Sequence, residues 1–245
     1  MNKVFVVTHL PFERTLTEPY SSIRVGGKVF PSDFSDDCED QIAQKNPYFC
    51  ELTALYWVWK NYKYQAKDYM GLVHYRRSLT SGNIFDVLFC QSLTDQRIKK
   101  DLETFDLILP KPDFFEEGLY QQYVKSHPAN DLDLCFDVLV ECYPELKGNI
   151  DRYKDIQHVS LFNIFISKAT LFNEYYNWLF PVLFQLETMI CLDGRSAYQN
   201  RVFGFLAERL LNIWVMSKPS LKIKYYPLLR VDKSGLSNLR RLFFS

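Results

Sequence analysis

The chain has 245 residues, 47% of them hydrophobic and 16% aromatic, which is ample for a large core and excludes a disordered segment. Lys plus Arg and Asp plus Glu number 29 each, so the net charge is zero and the basic excess of a dedicated nucleic-acid binder is missing. The six cysteines (38, 50, 90, 135, 142 and 191) show no C-x-x-C pair and no zinc spacing, and the first residues lack a signal-peptide pattern, so reduced thiols and a cytoplasmic setting are expected.

Residues 3–8 read as a first buried strand, with His9 at its C-terminal end. Residues 23–30, centred on Gly26-Gly27, read as a tight hairpin. Residues 32–40 form an acidic loop carrying Asp33, Asp36, Asp37, Glu39 and Asp40. Pro47 opens a helix over 48–61 with Leu52, Leu55 and Trp59 along one side. A strand over 70–75, a polar helix over 94–103 and a buried strand over 105–110 follow. Residues 120–143 are helical with a break near Pro128, and 159–167 are β-rich. A long helix over 169–189 is kinked or broken by Pro181. Its charge-free run, 175–186, is too short for the roughly 20 residues of a membrane span. A helix over 196–216 and a strand over 221–229 complete the pattern. This alternation predicts an α/β fold, a mostly parallel central sheet flanked by helices, in one domain over 1–230. Residues 231–245 are a tail. Its Leu239-Arg240-Arg241-Leu242-Phe243-Phe244 is suited to docking on the chain or a partner, or to resting on an anionic membrane surface.

The stretch 68–77, Asp-Tyr-Met-Gly-Leu-Val-His-Tyr-Arg-Arg, runs from an apolar strand into His74, Tyr75, Arg76 and Arg77. Buried strands of open α/β sheets deliver their C-terminal ends to the ligand crevice. Three potentially cationic groups there suit an anion such as a diphosphate, which two guanidinium groups can neutralise without a metal. The same arginines also fit a solvated loop paired with acids. In the last helix Arg201, Gly204, Glu208 and Asn212 share one arc, apart from the apolar Val202, Leu206, Leu210 and Ile213, with Arg209 at the edge. Gln121, Gln122, Tyr123, His127, Asn130, Asp131 and Asp133 cluster around a helix break. Asp131 and Asp133 have D-x-D spacing, which can hold a divalent metal such as Mn or Mg. Their place in the first turn of a helix suits the macrodipole equally well. No dinucleotide fingerprint, P-loop or nucleophile elbow occurs.

The run Lys45-Asn-Pro-Tyr-Phe-Cys-Glu-Leu-Thr-Ala-Leu-Tyr-Trp-Val-Trp-Lys-Asn61, followed by Gly71-Leu-Val-His-Tyr-Arg-Arg77, resembles a bacterial family of capsule, exopolysaccharide and O-antigen gene clusters. Its members are described as glycosyltransferases or as a domain of unknown function with that presumed role. Gln122-Tyr123, His127, Phe162-Asn163 and 201–210 extend the similarity over nearly the whole chain. The family pattern has Gly-Asp-Asn where this chain has Glu39-Asp40-Gln41.

The resemblance implies a GT-A-like nucleotide-diphospho-sugar transferase fold. It implies transfer of a sugar, with galactose and galactofuranose as candidates, from a UDP-type donor to a lipid-linked glycan at the inner face of the plasma membrane. On this reading Thr8, His9, Lys45 and Asn46 line the nucleotide site. His74, Tyr75, Arg76, Arg77 and Arg201 hold the donor. Glu208, His127 and Asp131, in that order, are candidates for the base that an inverting transfer needs. No cofactor is firmly implied, and a divalent metal stays open. A non-catalytic glycan- or nucleotide-sugar-binding protein of the same pathway and a sugar-nucleotide hydrolase are the rival readings.

Overall fold

Lys3–Thr8 form β1, and all six residues are buried because both faces of the strand are covered, as in the middle of an α/β sheet. The computed structural model describes residues 1–11 and 14–243. After β1 come β2 (Tyr20–Arg24), β3 (Phe34–Ser35), the single turn α1 (Asn46–Phe49), α2 (Leu52–Asn61), β4 (Tyr69–His74), β5 (Arg77–Leu79), α3 (Ile84–Leu88), α4 (Asp95–Thr104), β6 (Leu107–Pro110) and β7 (Asp113–Phe114). The second half holds α5 (Leu119–Val124), α6 (Ala129–Cys142), α7 (Lys147–Asp155), β8 (His158–Val159), β9 (Phe165–Lys168), α8 (Ala169–Met189), α9 (Val202–Met216), β10 (Ile223–Tyr226), β11 (Leu228–Arg230) and α10 (Gly235–Phe243).

The main sheet runs β10-β6-β9-β4-β1-β2-β3, with β5 and β11 attached beside β4. It is parallel through β4, β1, β2 and β3 and again between β6 and β10. β9 is antiparallel to both β4 and β6, and the β4-β5 and β5-β11 pairs are antiparallel too. The sheet is therefore mixed, where the strand–helix alternation suggested a mostly parallel one. Strand alternation splits the core in two. Phe5, Val7, Leu72 and Phe165 face a thick layer containing α2, α6, α8 and α9, whereas Val4, Val6, Val73 and Ile166 face the layer of α4.

Several local expectations change. Residues 23–30 are not a hairpin: β2 ends at Arg24, Gly26 and Gly27 take positive φ, and the chain returns as β3 parallel to β2. The 48–61 helix is interrupted at Cys50, whose φ is +53°, so α1 and α2 are separate. In 159–167 two consecutive left-handed residues, Phe162 and Asn163, turn the chain before β9 begins. α8 is assigned as helix continuously through Pro181. Pro227 divides the closing strand into β10 and β11. α7 had no counterpart in the sequence reading. The tail is described as far as Phe243 and forms α10, packed against α3 of the same chain; Phe244 lies outside the described residues.

Candidate active site

β4 ends at His74, and Tyr75-Arg76 make a tight turn that returns as β5, with His74 paired to Arg77. The Tyr75 amide donates to the Val7 carbonyl at 3.0 Å, fixing this turn to the end of β1. The result is a cationic corner at the C-terminal ends of two parallel central strands. Arg76 is exposed, with its guanidinium 5.0 Å from the Tyr75 ring, while half-buried Arg77 lies 4.2 Å over the Phe162 ring. His9 packs edge-on to Tyr75 at 5.3 Å. Burial, then the charges of Lys28, Arg76 and Arg201, hold the His9 pKa below its ordinary value. Burial also lowers that of His74, against the pull of Glu51. The His74 ring nitrogen Nε2 sits 2.7 Å from the Phe162 carbonyl, to which it must donate.

These groups form one side of a cleft of about 830 Å³. Its other side comes from α9 and the segment before it, with Tyr198, Asn200, Arg201, Phe205, Glu208 and Arg209. Glu208 accepts from the Phe162 amide at 3.1 Å and from Arg209 Nη1 at 3.2 Å. Arg209, 3% exposed, also donates to Gln122 at 2.8 Å. Burial, reinforced by the charge of Glu51, raises the Glu208 carboxyl to about 7 despite Arg209. Glu208 can therefore exchange a proton near neutral pH.

The left-handed turn at Phe162-Asn163 is held from several sides. Besides the bonds to Glu208 and His74, the Asn163 side-chain Nδ2 donates to Glu51 at 2.7 Å and to the Gly204 carbonyl at 3.1 Å. Asn212 bridges to both Ser160 backbone groups at 3.0 and 2.9 Å. Gly204 serves close packing: a Cβ there would sit 3.2 Å from Cys50 Sγ. Arg201 Nε donates to that same sulfur at 3.3 Å rather than reaching Glu208. The Cys50 thiol is pushed up to about 12 by burial, so it stays protonated.

Residues 3–219 match the family described as Domain of unknown function (DUF4422). The chain belongs to that family. Among solved structures it is similar to the WbbM bifunctional glycosyltransferase in its apo form, with a TM-score of 0.84 and 27% identity over 95% of this chain. The match spans 45% of the WbbM chain, so this DUF4422 chain corresponds to less than half of that protein. A search of the curated proteins gives no match.

The DUF4422 cleft gathers His9, Asn46, His74, Tyr75, Arg76, Arg77, His127, Arg201 and Glu208 from the expected set. Three expected residues lie outside its lining. Thr8 is buried and its hydroxyl donates to the Leu10 carbonyl. Lys45 is drawn to Glu187 on α8, 2.6 Å from its Oε1. Asp131, 1% exposed, receives a two-pronged bond from Arg195 at 2.6 and 2.8 Å, and Asp133 accepts from Tyr120. The D-x-D pair thus serves separate structural contacts, and no cluster of three metal-ligating side chains occurs among the described residues. Asn46 lines the cleft, but its amide group donates to the Cys50 carbonyl and to Thr53. His127 packs 4.1 Å from Phe205, and burial lowers its pKa.

Sequence reasoning did not single out Glu51, Tyr198, Asn200 and Phe205. Glu51 had a signal: a charged residue inside the long motif, immediately before an apolar helix.

Proposed function

We propose that this chain is a glycosyltransferase that moves a hexose, galactose or galactofuranose, from a UDP-type donor to a lipid-linked surface polysaccharide. One observation carries this reading: a single cleft joins a cationic strand-end corner to a largely buried carboxyl poised near neutrality. The likeness to WbbM supports it, as does a mixed α/β sheet compatible with a GT-A-like arrangement. Arg76, Arg77 and Arg201 neutralise the diphosphate as it leaves. In an inverting transfer Glu208 takes the proton of the acceptor hydroxyl, whose oxygen bonds to the anomeric carbon as the sugar–phosphate bond breaks. Charge compensation by guanidinium groups makes a divalent metal unnecessary for donor binding. The work takes place at the inner face of the plasma membrane.

The test is calorimetry against a panel of nucleoside diphosphates and sugar nucleotides, followed by product analysis with and without a glycan acceptor. Binding of UDP and acceptor-dependent sugar transfer are expected. Release of free sugar irrespective of acceptor would make the protein a hydrolase, and binding without turnover would make it a binding protein. Addition of a chelator should leave UDP affinity within about tenfold; a larger loss would assign the charge compensation to a metal.

A further inference from the structure

Three rings pack together on the α9 wall of the cleft. His127 and Tyr198 are near-parallel, 19° apart with centroids at 5.6 Å, and Phe205 lies 4.1 Å from His127 and 5.1 Å from Tyr198. Yet Tyr198 keeps 51% of its surface open, and it lines the cleft. Two buried polar atoms on this wall have no hydrogen-bond partner: Asn200 Oδ1, an acceptor, and Arg209 Nε, a donor. Buried polar groups in folded proteins are nearly always satisfied, and such orphans point to a missing partner. A sugar ring has the matching chemistry. Its C–H face packs on an aromatic ring, and each hydroxyl at its edge can both donate and accept.

We infer that the α9 wall is a subsite for the acceptor sugar, with Tyr198 as its platform and Asn200 and Arg209 as its hydrogen-bonding edge. The inference rests on the glycosyl-transfer reading for the word acceptor. The placement follows from Glu208, which takes the acceptor's proton and stands on α9 next to Arg209. The donor's phosphates belong to the strand-end corner, at His9, Arg76 and Arg77. Arg201, which lies 5.4 Å over the Phe205 ring and whose charge also reaches His9, stands at the boundary between the two.

Saturation-transfer NMR on the full chain tests this, using methyl glycosides of galactopyranose, galactofuranose, glucose, N-acetylglucosamine and rhamnose, with and without saturating UDP. At least one glycoside should take up saturation at its ring C–H protons and retain it in the presence of UDP. Tyr198→Ala should weaken that glycoside about tenfold while leaving UDP affinity within about twofold, and Tyr198→Phe, which keeps the ring, should retain binding. Asn200→Ala should weaken the glycoside as well. Absence of any glycoside signal from the wild type, or a signal indifferent to Tyr198→Ala, overturns the subsite even if UDP binds. A loss of UDP affinity of about tenfold or more in a folded Tyr198→Ala protein also overturns it, because the ring would then hold the donor's base. A glycoside signal without UDP binding supports the sugar subsite and removes the donor assignment instead.

Discussion

Opposed influences meet in the carboxyl group of Glu208: burial and the Glu51 charge favour its proton, while the Arg209 and Arg201 charges and the hydrogen bond from the Phe162 amide favour the carboxylate. Burial wins, and the group titrates near 7. A base must be ionised, so kcat/KM for sugar transfer should rise with pH through about 7 and level off above it. Glu208→Gln should lower turnover by ~10²–10⁴ and flatten that limb, with donor affinity unchanged. The stability consequence has a definite sign. The folded pKa lies above the ordinary value of 4.5, so the contribution is fully present below 4.5 and lost as pH rises through about 7. Thermal melts at pH 5 and pH 8 should therefore differ less for Glu208→Gln than for the wild type. The two neighbouring arginines should behave differently. Exposed Arg76→Ala should weaken UDP by about 1.5–3 kcal/mol without moving the melting temperature, whereas Arg77→Ala also removes packing against Phe162 and should lower both.

Among the elements, the N-terminus of α6 is tied to the segment after α8 by the pair of buried Asp131 with half-buried Arg195. Arg195 keeps some access to water and its bond to the Cys191 carbonyl, so Asp131→Ala should cost about 1–3 kcal/mol by denaturant titration. UDP affinity per folded molecule should stay near that of the wild type; a selective loss of UDP binding would return Asp131 to the site. Gly71 marks the close approach of β4 and β9: a Cβ there would lie 2.6 Å from Ile166 Cγ1 and 2.8 Å from the Phe165 carbonyl. Gly71→Ala should cost about 1–3 kcal/mol through overpacking. These elements also show where the sequence was readable. Long apolar patterns gave β1, β4, α8 and the body of α9, because burial on one or both faces leaves a periodic mark. The cationic end of β4 and Glu208 were visible as charges interrupting such patterns. What escaped depended on partners distant in sequence. Nothing local to Asp131 reveals Arg195, and Lys45 gives no sign of Glu187. The breaks at Cys50 and Phe162-Asn163 require positive φ, which Asn adopts readily but Cys and Phe seldom do, and contacts from other elements hold them.

The molecule as a whole balances its charges, yet its apolar surface is uneven. Ile84, Phe85, Leu88 and Phe89 of α3 and the following turn stay exposed beside α10, which adds Leu236 and Phe243. Exposed Lys233 and Arg240 accompany them without an ion-pair partner among the described residues. Aromatic and aliphatic side chains with basic neighbours suit an anionic lipid surface, the setting proposed for a lipid-linked acceptor. Sedimentation with phosphatidylglycerol vesicles should carry the protein down, phosphatidylcholine vesicles should not, and Phe85→Ser with Phe89→Ser should abolish the difference. Equal recovery with both lipids would remove the membrane assignment.

The last strand of the sheet has a consequence for how the chain comes into being. β11 pairs with β5, setting Arg230 opposite Arg77, and the Val231 amide donates to the Arg76 carbonyl at 2.9 Å. During synthesis β1, β2 and β4 emerge early, but the strand that pairs beside the two arginines emerges only after β6 to β10. A nascent chain halted at residue 219, where the family match ends, would hold most of the sheet while its cationic corner stayed unfastened. The backbone of this corner is therefore complete only once β11 has been made and has paired with β5.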